Sequence, residues 1–238
     1  GDYAFGNCMG ISKVNMPETS ALADIGSAPA IGIGAFAGLE NVTEIKLPES
    51  ANKYTLGANS FAKTGIVSVF IPASVKNVAS PDTYSSSKAN YGAFNAMPNL
   101  QSIVFAENSG ITEIKESSFR GNSLLNKVAL PSGIEVIKTN AFRDSGKNSE
   151  KAMEFTFSAK ADGTYALTTI ESHSFNGVTN LREINFPDGL TTIGDSAFFN
   201  TGFRSLTIPY TVTTIGESAF AGTYSNESSL EELTFNVG

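Results

Sequence analysis

Leu206-Thr-Ile-Pro-Tyr-Thr-Val-Thr-Thr-Ile-Gly-Glu-Ser-Ala-Phe220 decides the fold of this chain. It opens on an alternation of apolar and polar residues, the period of a half-buried strand. Pro209 stops that strand because it has no N–H to give to a ladder. A second short extended piece, Val212-Thr-Thr-Ile215, follows, and a small residue then precedes Phe220.

Working outward, the small-residue–Phe pair recurs at Phe5, Phe36, Phe61, Phe94, Phe119, Phe142, Phe175, Phe198 and Phe220. The spacings are 31, 25, 33, 25, 23, 33, 23 and 22 residues, so the unit is 22 to 25 residues and three coils carry insertions. An aliphatic residue stands five positions before the Phe at Ile31, Leu56, Ile114, Ile137, Ile170, Ile193 and Ile215, with Ala89 departing in the coil of Phe94. An L-x-x-I-x-L segment follows each Phe, starting at Ile11, Val42, Ile66, Leu100, Leu125, Leu181 and Phe203, and after longer gaps at Ala152 and Leu230. Pro17, Pro48, Pro72, Pro131, Pro187 and Pro209 directly follow such segments. Gly10, Asn41, Gly65, Asn99, Asn180 and Gly202 precede six of them, where a left-handed corner is expected.

Such a coil cannot bury its apolar side alone; stacking on neighbours at about 4.8 Å does so continuously. The expectation is a right-handed β-rich superhelix with parallel sheets, one domain of about nine coils over residues 1–238, with the phenylalanines in an internal column and a turn of helix or 3-10 helix carrying each Ala-Phe.

At Leu190-Thr-Thr-Ile-Gly-Asp-Ser-Ala-Phe198 and at the opening stretch, the chain resembles the BspA-like, or Treponema-type, leucine-rich repeats. The resemblance runs over essentially the whole length. It implies a leucine-rich-repeat solenoid without catalytic residues, at the cell surface or secreted, contacting host proteins or other cells. The sequence departs from the family's spacing at residues 18–27, 79–91, 143–151, 158–166 and 221–229, where individual specificity is expected.

Composition narrows the partners. Hydrophobic residues make up 41% and charged residues 16%, enough for a buried core rather than a disordered segment. A formal charge of -7 without a basic run argues against nucleic acid and against an anionic membrane surface. The lone Cys8 permits no internal disulfide and no thiolate cluster. No run is long and apolar enough for membrane insertion, and a monomer is expected. No phosphate-cradling glycine loop and no zinc spacing is present, so no cofactor and no metal are expected.

Three sets of residues remain as candidates for chemistry. His173 occupies a variable turn position without a partner nucleophile nearby in sequence, and Cys8 lies several coils from it. Glu154 and Glu183 fall on one outward column, where neighbouring strands would bring them about one sheet spacing apart, as a hydrolase pair or part of a cation site; Lys127 on the same column offsets their repulsion. The second outward column places Phe70, Val104 and Ala129 on consecutive strands, an apolar strip on a polar face. Tyr84 and Tyr91, in the Ser- and Asn-containing insertion 79–91, are expected at its edge; the alternative is that this insertion covers the strip. The function expected is a non-catalytic binding or adhesion module for an extracellular or host protein or a glycan. Alternatives are a structural spacer presenting other domains and, more weakly, a glycoside hydrolase using the paired carboxylates.

Overall fold

The computed structural model describes residues 1–20, 22, 30–78, 92–222 and 230–237. Two ladders of parallel strands run along the stack. The first is a four-stranded sheet of Ser68–Ile71, Ser102–Phe105, Lys127–Leu130 and Glu154–Phe157, continued further on by the pair Ser205–Ile208 and Glu232–Phe235. The second holds Glu113–Ile114, Val136–Ile137, Thr169–Ile170, Thr192–Ile193 and Thr214–Ile215 in one sheet, preceded by the pair Tyr54–Leu56 and Val75–Val78. Thr19–Ser20 pairs with Glu49–Ser50. Four coils turn from the first ladder to the second at a proline corner. There the carbonyls of Pro72, Pro131, Pro187 and Pro209 accept the N–H three residues on. The proline carbonyl is thus used in the turn even though its nitrogen has nothing to donate.

The phenylalanines form the third wall. Phe5, Phe36, Phe61, Phe94, Phe119, Phe142, Phe175, Phe198 and Phe220 stack in order. Ring centroids along the central run Phe119–Phe142–Phe175–Phe198 lie 5.4, 5.3 and 4.9 Å apart, with planes within 14° of parallel. A rise near 4.8 Å per coil forces that near-parallel geometry, and a lateral offset relieves the repulsion of like ring faces. Phe155 and Phe186 reach this column from the first ladder and meet it edge-on.

No helix is present among the described residues, so the expectation of a helical or 3-10 turn around each Phe is corrected. The wall is instead a ladder of turns. The N–H of Phe119 donates to the Ala141 carbonyl at 2.9 Å, Phe142 to Ser174 at 2.8 Å and Phe175 to Ala197 at 2.7 Å. What makes this possible is a left-handed residue two after each ring and, for every ring but Phe94, another two before it, such as Asn59 and Lys63, Ser117 and Gly121, Asn140 and Asp144, His173 and Gly177. Between and at these two positions every second N–H points to the next coil: those of Ser117, Phe119 and Gly121 donate to the carbonyls of Thr139, Ala141 and Arg143. Helix geometry would turn those groups back into their own coil.

The corner expectation is corrected as well. None of Gly10, Asn41, Gly65, Asn99, Asn180 and Gly202 is left-handed. Glycine serves there for close approach: a Cβ on Gly202 would overlap the Thr179 carbonyl oxygen. Asparagine there reaches across coils, and Asn180 Nδ2 donates to the carbonyls of Leu125 at 2.9 Å and Lys151 at 3.1 Å.

The first ladder is also less regular than its pattern. Residues 11–16, 42–47 and 181–186 carry the apolar alternation, yet lie outside any strand. Ile184 and Phe186 still point inward and are buried. Side chains fasten these stretches where backbone ladders do not. The Tyr54 hydroxyl donates to the Pro48 carbonyl at 2.9 Å, and the Ser74 hydroxyl to the same oxygen at 3.3 Å.

Candidate functional site

The register of the four-stranded sheet fixes which side chains share its outer face. Ser68 pairs with Ser102, Ser102 with Lys127 and Lys127 with Glu154. Two residues on, Phe70 pairs with Val104, Val104 with Ala129 and Ala129 with Thr156. Phe70 is 54% exposed, while Val104 and Ala129 are half-buried. The apolar strip read from the sequence therefore exists and is contiguous. Tyr84 and Tyr91 lie outside the described residues. Gly92, which follows them, belongs to the phenylalanine wall and not to the ladder of Phe70.

The carboxylate column crosses the break in the first ladder. Glu154 sits on the last strand of the four-stranded sheet, and Glu183 lies in the irregular stretch beyond it, so no ladder sets them side by side. Glu154 is engaged instead by Lys127, with Nζ 3.2 Å from its carboxylate. Both partners are exposed and the pair adds little stability. Among the described residues no group of three His, Cys, Asp or Glu side chains is arranged to hold a metal ion. His173 is a left-handed wall residue with φ 59°, its N–H given to the Asp195 carbonyl at 3.0 Å. Cys8 is a free, exposed thiol in the first coil.

A charge network crosses the second ladder. Lys138 bridges Glu171 at 3.1 Å and Glu113 at 3.4 Å, and Glu113 also meets Lys115 at 2.5 Å. The Lys115 hydrogen bond holds the Glu113 carboxyl below its usual range, and the Glu171 hydrogen bond raises Lys138. Its members satisfy one another and leave no reactive group. An apolar hollow of about 250 Å³ is walled by Phe5, Met16, Leu22, Ile31, Phe36 and Pro48, and among the described residues that line it none has an acidic, basic or nucleophilic side chain.

Beyond that network the second ladder carries three successive threonine pairs, Thr168-Thr169, Thr191-Thr192 and Thr213-Thr214. Tyr165, Asp188 and Tyr210 each stand four residues before the paired Thr169, Thr192 and Thr214, and so form one margin of that face. Tyr165 is 37% and Tyr210 60% exposed. The outward columns of the first ladder do not include these residues. The signal that finds them is the equal offset from the second ladder, which only the pairing of its short strands makes legible.

Taken together, two parallel ladders and a phenylalanine wall, repeated every 22 to 25 residues, define a leucine-rich-repeat solenoid. The BspA type leucine rich repeat region, in 6 copies, matches residues 80–165 and 159–237. The chain belongs to that family. Among solved structures it is similar to a leucine-rich repeat protein from Bacteroides ovatus, at 19% identity and a TM-score of 0.57, over 99% of this chain and 48% of that one. It is also similar to a leucine rich cell surface protein from Faecalibacterium prausnitzii, at 21% identity and a TM-score of 0.44, over 87% of this chain and 57% of that one. The chain thus spans about half the length of these two proteins. No curated protein is a recognisable relative.

Proposed function

We propose that the chain is a non-catalytic binding module, exposed at the cell surface or secreted, that recognises an extracellular or host protein or a glycan on the outer face of its first ladder. The observation that carries the reading is Phe70, a large apolar side chain 54% exposed on the edge strand Ser68–Ile71 of the four-stranded sheet. Val104 and Ala129 extend it over two further strands. Contiguous exposed apolar surface marks contact sites, and interface energy concentrates on a central aromatic anchor inside a polar surround. Ser68, Ser102, Lys127 and Glu154 supply that surround in the adjacent row. Membership in the BspA-type family supports the surface setting and the absence of catalysis. No helix among the described residues is long and apolar enough to cross a membrane, so attachment by that means is not part of the proposal.

The test is an array of host proteins and glycans probed with the chain and with Phe70→Ser. Binding that weakens by at least about tenfold with the variant, at unchanged folding, supports the site; that is the scale of one anchor residue. Normal binding by the variant moves the site elsewhere. A segment 79–91 carrying Tyr84→Ala and Tyr91→Ala tests whether those residues belong to the same contact.

A further inference from the structure

The second ladder presents a face that the Phe70 site does not use. We infer that the face of Thr168-Thr169, Thr191-Thr192 and Thr213-Thr214, with Tyr165 and Tyr210 at its margin, is a binding platform for an uncharged glycan lying along the stack. The argument begins with where the hydroxyl protons go. Thr168 Oγ1 donates to the Glu135 carbonyl at 3.3 Å, Thr191 Oγ1 to the Thr168 carbonyl at 3.0 Å and Thr213 Oγ1 to the Thr191 carbonyl at 3.4 Å. Thr169 and Thr192 lie 3.4 and 3.5 Å from the hydroxyls of Thr168 and Thr191, whose protons are already given away, so these two act as the donors. The protons of these five hydroxyls run back along the protein, and their oxygen lone pairs are what the face offers to a ligand.

Asp188 lies between the two tyrosines on one margin and is exposed; on the other side stand Glu171 and, one row further out, Asp195 and Glu217. A carboxylate accepts and does not donate. The whole face is therefore rich in acceptors, and no lysine or arginine stands in either threonine row or either margin on these three coils. Lys138, the cation that reaches this margin from the preceding coil, is bound to Glu171 and Glu113. A sulfated, phosphorylated or sialylated ligand meets only repulsion here. The complementary ligand is rich in donors and carries no negative charge, which describes the hydroxyl rim of a neutral sugar.

The tyrosines supply the apolar half of that recognition. A pyranose ring offers C–H groups on its faces and hydroxyls around its rim, and a tyrosine offers an apolar ring with a polar tip. Tyr165 and Tyr210 are two coils apart, about 10 Å at the sheet spacing, with Asp188 and the threonines between them. Two stacking points at that separation fit a chain of several sugars better than a single one. Tyr165 is held in place by the tight hairpin before it, in which Lys160 N–H donates to the Thr164 carbonyl at 2.7 Å and Thr164 N–H to Asp162 Oδ1 at 2.9 Å.

The test is titration calorimetry of the chain with a panel of neutral hexasaccharides built from glucose, mannose, xylose and N-acetylglucosamine, alongside a sulfated hexasaccharide and an oligolysine peptide. At least one neutral hexasaccharide is expected to bind, insensitively to ionic strength. Its affinity falls by about tenfold with Tyr165→Ala and with Tyr210→Ala, the scale of one aromatic contact. Both side chains are exposed, so unchanged melting of the variants is the control for folding. Phe70→Ser leaves this binding intact, which separates the platform from the first-ladder site. No neutral binder in the panel, preference for the sulfated ligand, binding of oligolysine alone with steep salt dependence, or indifference to both tyrosine substitutions overturns the inference.

Discussion

The phenylalanine wall and the first strand ladder are built from the same nine repeats, yet the wall stacks from Phe5 to Phe220 while the ladder is broken around residues 42–47 and 181–186. The difference lies in what each wall asks of its residues. A ring must fill the same space in every coil, and its turn must keep its left-handed positions, so a change at either is felt by both neighbours. A strand needs only an inward apolar side chain, which residues 181–186 still supply through Ile184 and Phe186 without ladder hydrogen bonds. Stability therefore concentrates in the wall, and the outward positions of the ladders are left to vary.

The largest expected effect tests that division directly. Phe142 is fully buried, stacked between Phe119 and Phe175 and met edge-on by Phe155. Phe142→Ala should cost about 3–5 kcal/mol, the range for aromatic truncation in a close-packed interior. Phe5 is the same residue in the same wall at 48% exposure, and Phe5→Ala should cost less than about 1 kcal/mol. Urea titrations of both variants measure the ratio. Equal losses would mean that the column is not where the core resides.

A break in the ladder offers the next test. Tyr54 is completely buried, and its hydroxyl anchors the Pro48 carbonyl at the end of the unladdered stretch. Burial pushes its pKa up from 10.0 to about 12. A phenol whose folded pKa is raised contributes stability that is fully present below the unfolded pKa and is lost as pH rises through the folded one. The window is thus pH 10 to about 12, and the loss across it is about 2–3 kcal/mol. Tyr54→Phe should remove this alkaline component, because no proton remains to lose. Chemical unfolding at the two ends of the window, with and without the substitution, reads the difference. An identical alkaline loss in the variant would show that the break is fastened by other groups.

A smaller effect, of opposite sign, comes from the wall's backbone. The residue two after the ring is left-handed in each coil, and Gly38, Gly121, Gly177 and Gly222 take that position without strain. Ala96 takes it at φ 51° with a side chain that favours other conformations. Ala96→Gly should therefore stabilise by up to about 1 kcal/mol, relief of the left-handed strain outweighing the larger entropy of the unfolded glycine. Thermal melting measures it, and a loss of stability would show that the methyl group packs better than its backbone suits.

That position also marks what the sequence conceals. The ring period, the inward alternation and the proline corners were legible because each depends on side-chain size or on a missing N–H. The left-handed pairs were not, since Tyr3, Lys63, Ala96, His173 and Ser196 occupy them as well as glycine. Only the hydrogen bonds from one turn to the next explain why such residues are held there. Gly65 and Gly202 misled in the other direction, as corners of ordinary handedness chosen for close approach. The ladder breaks left no trace, because the inward residues of 181–186 keep the same alternation as a true strand. For the candidate site, the exposure of Phe70 and its register with Val104 and Ala129 followed from period two alone, whereas the lack of a ladder between Glu154 and Glu183 comes from a break the pattern does not record.

The smallest effect on folding is expected at the most exposed part of that strip. Phe70 points away from the core, and its inward neighbours Val69 and Ile71 are almost completely buried. Replacing it with serine removes an aromatic ring from the surface and leaves the ladder bonds of its strand unaltered, so the change in stability should stay within about 0.5 kcal/mol. Serine is a poorer strand former than phenylalanine, which sets the sign of the small residue as a loss. The comparison with Phe142 is then as large as two phenylalanines in one protein allow: one carries several kilocalories per mole of folding and the other almost none. Denaturant titration of Phe70→Ser decides it. A loss as large as that of Phe142→Ala would place Phe70 in a second core, closed from outside by segment 79–91, and the first ladder would then cease to be a free face.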